Sequence, residues 1–242
     1  FQLYKGLTLK SSGSYTQVFV RDNYFYYDGS EQAARSGGPY GQSTITLRNN
    51  WSVNNVLTYN TTIDKKHKIT AMAGQEYLFS GSEFLRGQAK EFALEDLGVD
   101  KLNAGDVASL VETSRQDKRR LSFFARGFYS YMDRYMFTAT FRADASSVFA
   151  RGNRWGFFPS GAFAWNIAQE PFMKDIKSVS TLKLRLSAGL TGQQDGIGDY
   201  VHLARYNISN NPSYMYNMGG GNFVHPMTPQ AYDPTIKWET TL

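Results

Sequence analysis

The chain has 242 residues, no Cys, three His, 15% aromatic residues and a formal net charge of +5. Zero Cys excludes a disulfide scaffold and a cysteine metal centre, and aromatics this dense exclude a disordered chain. No run of about 18 apolar residues is present, which excludes a helical membrane span, and the three scattered His (His67, His202, His225) leave little for any other metal centre.

The dominant period is two, the signature of strands with one apolar face. In chain order, residues 3–10 read as a strand, followed by a long polar connection over 11–43 that carries Tyr24, Phe25, Tyr26 and Tyr27. Residues 50–63 and 68–79 read as two strands around the short polar turn Asp64-Lys65-Lys66-His67. A second long connection covers 86–118, with helical composition from Ala89 to a stop at Gly98. Its basic cluster of Arg115, Lys118, Arg119 and Arg120 is interrupted by Gln116 and Asp117, and reads as a solvated loop rather than a nucleic-acid surface.

The clearest alternation begins at Leu121. Leu121, Phe123, Ala125, Gly127, Tyr129 and Tyr131 share one face, with Ser122, Phe124, Arg126, Phe128 and Ser130 on the other. A tight turn is placed at Asp133-Arg134, and Tyr135, Phe137, Ala139, Phe141 and Ala143 resume the apolar face. Residues 147–154 connect to a strand over 157–168, then a helical turn over 170–175 and a strand over 183–191. A long connection over 193–235 carries Tyr214 and Tyr216 and leads to a last strand over 236–242. Phe1 is not Met, and residues 236–242 read as a strand only beginning, so the sequence is expected to be a piece of a longer protein.

Short turns alternate with long polar connections, which is how outer-membrane barrels are built. The strands run longer than the usual five or six residues of globular proteins and reach the 9–11 needed to cross a membrane at a tilt. Small residues on the apolar face (Ala125, Gly127, Ala139, Ala143, Gly161, Ala188) suit a lipid-facing surface. Tyr131 and Tyr135 flank the 133–134 turn, as expected of an aromatic girdle at the headgroups. The expected fold is all-β, an antiparallel transmembrane β-barrel portion of about eight strands with long extracellular loops and short periplasmic turns. A large soluble β-sandwich is the alternative, since its buried faces alternate too.

Charged residues on the polar face would look into the barrel lumen, so Arg126, Arg142, Asp144 and Arg185 are candidates to meet a plug domain or substrate. A wall-to-wall ion-pair network is the competing reading, and is preferred. Tyr26, Tyr27, Tyr214 and Tyr216 are candidate loop aromatics that could stack on sugar rings, pack against a lid protein or simply pack within the loops. No Gly-x-Ser-x-Gly elbow, P-loop or His-Glu-x-x-His is present. Asp195-Gly196-Ile197-Gly198-Asp199 lacks the ligand spacing of a calcium loop. No enzyme, cofactor or metal site is expected.

Several stretches carry a family likeness. They are Tyr129-Ser130-Tyr131-Met132-Asp133-Arg134-Tyr135, Phe141-Arg142-Ala143-Asp144-Ala145-Ser146-Ser147-Val148-Phe149 and Arg154-Trp155-Gly156-Phe157-Phe158-Pro159-Ser160. They continue with Glu170-Pro171-Phe172-Met173, Leu184-Arg185-Leu186-Ser187-Ala188-Gly189, Thr191-Gly192-Gln193-Gln194 and Lys237-Trp238-Glu239-Thr240-Thr241. In this order and spacing the chain resembles the barrel of SusC/RagA-type TonB-dependent outer-membrane transporters of Bacteroidetes. The family usually has Gly at Ala145, Arg at Val148 and Asn at Gln193 or Gln194.

The resemblance implies that residues 1–242 are part of a barrel of roughly 22 strands. The plug domain and the C-terminal strands would then lie outside this sequence. It also implies outer-membrane localisation, a TonB partner, a SusD-like surface lipoprotein over the long loops, and import of oligosaccharides or peptides. A passive porin or adhesin barrel, or a secreted carbohydrate-binding β-sandwich, are the rival readings.

Overall fold

The computed structural model describes all residues except 174, 175, 177, 209–214 and 222, together with the side chains of Val107, Ala108, Ser109 and Phe223. Eight strands form one sheet in sequence order: β1 (Gln2–Tyr4), β2 (Leu7–Tyr26), β3 (Tyr40–Ile63), β4 (His67–Phe92), β5 (Gly105–Tyr131), β6 (Tyr135–Ser146), β7 (Trp155–Asn166) and β8 (Lys183–Gly189). The pairings from β5 to β8 are all antiparallel. No described helix is long and apolar enough to cross a membrane.

The chain divides into two compact units. The first comprises Phe1–Ser12, Asn54–Tyr77 and Arg119–Leu242, the second Gly13–Val53 and Leu78–Lys118.

In the first unit the alternation read from sequence is realised as register. β5 and β6 pair without interruption from Tyr131↔Tyr135 to Arg120↔Ser146. β7 continues this, with Tyr135↔Trp165 at one end and Ala145↔Trp155 at the other. The apolar residues of β5, β6, β7 and β8 therefore share one face. That face is open: Phe123, Phe137, Phe141, Phe157, Leu184 and Leu186 are each 42–58% exposed. At about 3.3 Å per residue, residues 135 to 145 span about 33 Å. Tilted by about 40°, that is about 25 Å, the height of the apolar band of an outer-membrane barrel.

Aromatic pairs mark both edges of this band. At the short-turn edge Tyr135 stacks on Trp165 (6.3 Å), and the Nδ1 of His67 lies 2.8 Å from the Tyr129 hydroxyl. At the other edge Phe123 stacks on Trp155 (6.2 Å). Mid-band, Gly127, Ala139, Gly161 and Ala188 lie level on adjacent strands, and the first three line a shallow apolar groove.

Two short turns have positive φ at two successive residues, Asp64 and Lys65 in one, Met132 and Asp133 in the other. Each connection is three residues long (64–66 and 132–134), and its left-handed pair has the twist of the flanking strands. The second pair thus lies one residue before the Asp133-Arg134 position read from sequence. Lys68 Nζ reaches both Asp133 oxygens at 2.6–2.7 Å and ties the two turns together. That hydrogen bond holds the Asp133 carboxyl below its ordinary range. The stabilisation is fully present above about pH 3.9 and is lost as pH falls through the lowered value. Both side chains are half exposed, so the pair contributes less than about 1 kcal/mol. Lys68→Met is expected to lower stability slightly at neutral pH and not at all in strong acid, as measured by urea unfolding of the full-length protein at both pH values.

The strand read over 3–10 is broken at Gly6 (φ 80°) into β1 and the start of β2. The strand read over 157–168 ends at Asn166, and Pro171–Met173 forms one 3-10 turn. The last strand is shorter than read: only Glu239–Thr241 (β14) is extended, against Thr191–Gln193 (β9). Two further ribbons, Tyr206–Ile208 (β10) with Met227–Pro229 (β13) and Tyr216–Asn217 (β11) with Phe223–Val224 (β12), lie within the 193–235 connection.

In the second unit, much of what reads as connection is strand. β2 to β5 run 20 to 27 residues each, so the 11–43 and 86–118 connections are largely hairpin. The helix expected from Ala89 is displaced. Ala89 and Phe92 are buried on β4, and the helical residues are a kinked 3-10 segment, Glu95–Ala104, with Gly98 at φ 48°. A short helix, α1 (Glu31–Ser36), is capped by the Ser30 hydroxyl, and its Ala33 is fully buried.

A charged wall cluster beside a polar cleft

On the polar face of the first unit, Ser122 lies opposite Asp144, and Phe124 opposite Arg142. This brings a cluster together. The Arg142 Nε donates to both Asp144 oxygens at 2.8–2.9 Å, and its second guanidinium nitrogen reaches Glu76 (3.2 Å) and the Ser122 hydroxyl (3.0 Å). Arg120 approaches the same Glu76 oxygen at 3.8 Å. Two cations and two carboxylates thus balance, and Asp144 is almost fully buried beneath them. The Arg142 guanidinium also lies over the Phe124 ring (5.8 Å).

Phe124 can lie there because residue 74 has no side chain. A Cβ on Gly74 would sit 2.4 Å from the Phe124 ring and 3.0 Å from the Asn55 carbonyl oxygen. Gly74→Ala is therefore expected to push Phe124 aside and loosen Arg142. A destabilisation of about 1–3 kcal/mol, typical of overpacking, should appear in urea unfolding of the full-length protein and be partly recovered by Phe124→Leu.

Beside the cluster is an open cleft of about 410 Å³, lined by Arg120, Arg142, Thr140, Ser160, Gln193 and Trp238 among others. Trp238 closes one side. Its Nε1 donates to the Arg154 carbonyl (2.8 Å), and its ring packs on Phe149 (5.1 Å) and Phe158 (5.5 Å). Gly156 makes room, since a Cβ there would meet the indole at 2.9 Å. His202 Nδ1 lies 2.8 Å from the Val148 carbonyl oxygen, next to the fully buried Phe149. Arg120 Nε and Gln194 Oε1 are buried without a protein hydrogen bond. The stretches quoted for the family likeness, 141–149, 154–160, 191–194 and 237–241, converge in this one small region.

The four lumen candidates divide. Arg142 and Asp144 join the network. Arg126, opposite Thr140, and Arg185, opposite Ala164, are exposed on the same polar face, and neither has an ion pair among the described residues. Sequence reasoning missed Glu76 and Arg120. Glu76 alternates in phase with Met72 and Gly74, and Arg120 in phase with Ser122, so parity placed both on this face. Reading Arg115–Arg120 as one basic cluster hid that successive residues of a strand point to opposite sides.

Among the loop aromatics, Tyr26 stacks on Tyr40 (5.9 Å, 14°) within the second unit, and Tyr27 sits edge-on to Phe25 (4.9 Å). There Tyr40 donates to Gln42, which also accepts from Gln88 (2.7 Å). Tyr216 on β11 is 64% exposed. Tyr214 lies outside the described residues. No group of three or more potential metal ligands occurs among the described residues.

No protein-family model matches the chain. It is 36% identical over 170 residues to the TonB-dependent receptor SusC of Bacteroides thetaiotaomicron, a match covering 70% of this chain and 16% of SusC. It is 34% identical over 208 residues to the TonB-dependent receptor P3 of Formosa agariphila, covering 84% of this chain and 20% of that protein. Among solved structures, the RagAB peptide transporter superposes on 99% of this chain and 25% of its own, with a TM-score of 0.83 at 25% identity. The chain thus spans about a fifth of the curated relatives' length and a quarter of the solved one.

Proposed function

Since this chain belongs, in sequence and in fold, to the SusC/RagA type of TonB-dependent receptor, we propose that residues 1–242 form part of the barrel wall of an outer-membrane nutrient importer. The observation that carries the reading is the two-faced sheet. One face is a band of exposed Phe, Leu and small residues edged by Tyr and Trp, and the other is polar and charged. Such a wall separates lipid from an aqueous lumen, where charges cost little.

In this reading import is binding and gated passage with no covalent chemistry. A TonB-type partner in the inner membrane supplies the energy, and a SusD-like lipoprotein covers the outer opening. The proposed cargo is an oligosaccharide. Hydroxyls and amides from Thr140, Ser160, Gln193 and Gln194, with the Trp238 indole beside them, line a cleft suited to uncharged hydroxylated ligands. A peptide is the second reading, because the structural relative RagAB is a peptide transporter. Arg126 and Arg185 are proposed to face whatever fills the lumen, plug or cargo.

The test is deletion of the full-length gene, with uptake of labelled oligosaccharides and labelled peptides then measured. Loss of oligosaccharide uptake, with the same loss in wild-type cells treated with an uncoupler, is the expected result. Peptide loss alone would move the cargo to the second reading. Uptake that survives the uncoupler would replace the importer by a passive porin.

A further inference from the structure

We infer that the second unit carries a saccharide-binding subsite on one face of β2–β5, built on Tyr26, Tyr40, Gln42, Gln88 and the Arg86–Glu112 pair. The inference rests on the oligosaccharide reading of the cargo and adds a contact surface separate from the cleft beside Trp238.

Its first support is the way the ladder lines these side chains up. Glu91 N donates to the Pro39 carbonyl at 3.0 Å, which sets Gln42 of β3 beside Gln88 of β4. The side chains meet accordingly, with Gln88 Nε2 donating to Gln42 Oε1 at 2.7 Å. On one side Tyr40 stacks on Tyr26 of β2 (5.9 Å, 14°). On the other, Arg86 Nη1 reaches Glu112 Oε2 of β5 at 3.3 Å. All are even-numbered, and alternate residues of a strand share a face. From Tyr40 to Thr44, at about 3.3 Å per residue, the row is about 13 Å long, which suits a short oligosaccharide. The opposite face is closed at this level. Gly41 and Ala89 are buried there, and a Cβ on Gly41 would lie 3.0 Å from the Leu102 side chain.

The second support is what the network fixes and what it leaves open. The Tyr40 hydroxyl donates to Gln42 Oε1 at 2.9 Å, and Gln42 Nε2 donates to the Thr44 hydroxyl at 3.2 Å. The amides are thus oriented before any ligand arrives, which lowers the ordering cost of binding. Gln88 Oε1 and the Tyr26 hydroxyl have no hydrogen-bond partner among the described residues, and Arg86 Nε is buried without one. The charges cancel: Arg86 faces Glu112, and Lys90 Nζ, at the end of the row, donates to the Ser36 carbonyl at 2.9 Å. Sugar hydroxyls both donate and accept, so they match an open amide oxygen and a phenol. The half-buried tyrosine rings offer apolar area with a polar tip beside them. A neutral oligosaccharide satisfies these groups without needing an unpaired charge on the wall.

The test is calorimetric titration of the detergent-purified full-length receptor with neutral oligosaccharides: maltoheptaose, cellohexaose, xylohexaose, laminarihexaose and mannohexaose. The wild-type receptor should bind at least one of them. Tyr26→Leu and Gln88→Leu should each weaken that binding by about tenfold, the scale of one lost contact or hydrogen bond. Tyr26→Phe keeps the ring and should keep most of the binding. Val111→Ser, on the opposite face of β5 by alternation, should leave it unchanged. Wild-type affinity in both leucine variants overturns the subsite and leaves the oligosaccharide importer standing. An equal loss in all four variants marks unfolding rather than lost contacts and also overturns the subsite. A wild-type receptor that binds none of the five sugars overturns the subsite and the oligosaccharide reading together.

Discussion

An arginine placed at Ala139 in the full-length receptor is expected to cost about 2–4 kcal/mol, the penalty of a cation on the lipid face near the bilayer midplane. Ala139 lies mid-band on β6, exposed and flanked in register by Gly127 and Gly161, so the larger side chain meets no steric block from its neighbours. Its only environment in the barrel reading is hydrocarbon. Thr138→Arg, one residue away on the opposite face between Phe128 and Ala162, should cost far less because it meets the lumen. The measurement is the fraction of receptor assembled in the outer membrane, read from heat-modifiable gel mobility. Equal loss for both variants, or loss for Thr138→Arg alone, would mean that the two faces are assigned wrongly.

The second large effect is expected at Arg142. Arg142→Met removes the cation held against Asp144 and Glu76 and leaves a carboxylate that is 6% exposed without its partner. Removing one member of a fully buried pair costs about 3–5 kcal/mol, and an exposed pair is worth about 1 kcal/mol or less. Arg142 is itself 35% exposed, so a loss of about 2–3 kcal/mol, between those limits, is expected. Urea unfolding of the full-length protein should show it. Asp144→Ala added to Arg142→Met should restore part of the loss, since the orphaned carboxylate is then gone. A second substitution that deepens the loss additively would mean that the two residues act independently.

The wall itself is legible in the sequence because lipid and water impose a strict period of two. Leu121 to Tyr131 and Tyr135 to Ala145 fall on the faces their alternation predicts, and the pairing from Tyr131↔Tyr135 comes from placing a tight turn between them. The length of β2 to β5 is not legible. In the second unit both faces carry polar residues, as in Ser14-Tyr15-Thr16-Gln17 and Arg115-Gln116-Asp117-Lys118, so the amphipathic signal disappears although the ladder continues.

The displaced helix has a similar cause. Ala89, Lys90, Glu91 and Leu94 favour a helix by propensity, but burial of Ala89 and Phe92 on β4 outweighs it. In the wall cluster, Arg142 and Asp144 are visible from sequence because they alternate within one strand. Glu76 and Trp238 arrive from far away in sequence, through a register and a loop return that no local pattern encodes. Tyr26, expected as a loop aromatic, is held against Tyr40 by the extended hairpin.

The most direct test of the wall is a spin-label scan of β6 in the full-length receptor, one label at a time from 135 to 145, reconstituted in lipid bilayers. Collision with oxygen, which concentrates in hydrocarbon, is compared with collision with a water-soluble nickel complex. The expected result is alternation: odd positions favour oxygen and exclude nickel, even positions do not, with oxygen contact strongest near Ala139 and weaker toward Tyr135 and Ala145. A flat profile, or one in which odd positions collide with nickel as freely as even ones, would contradict a membrane-spanning strand and return the chain to a soluble β-sheet protein.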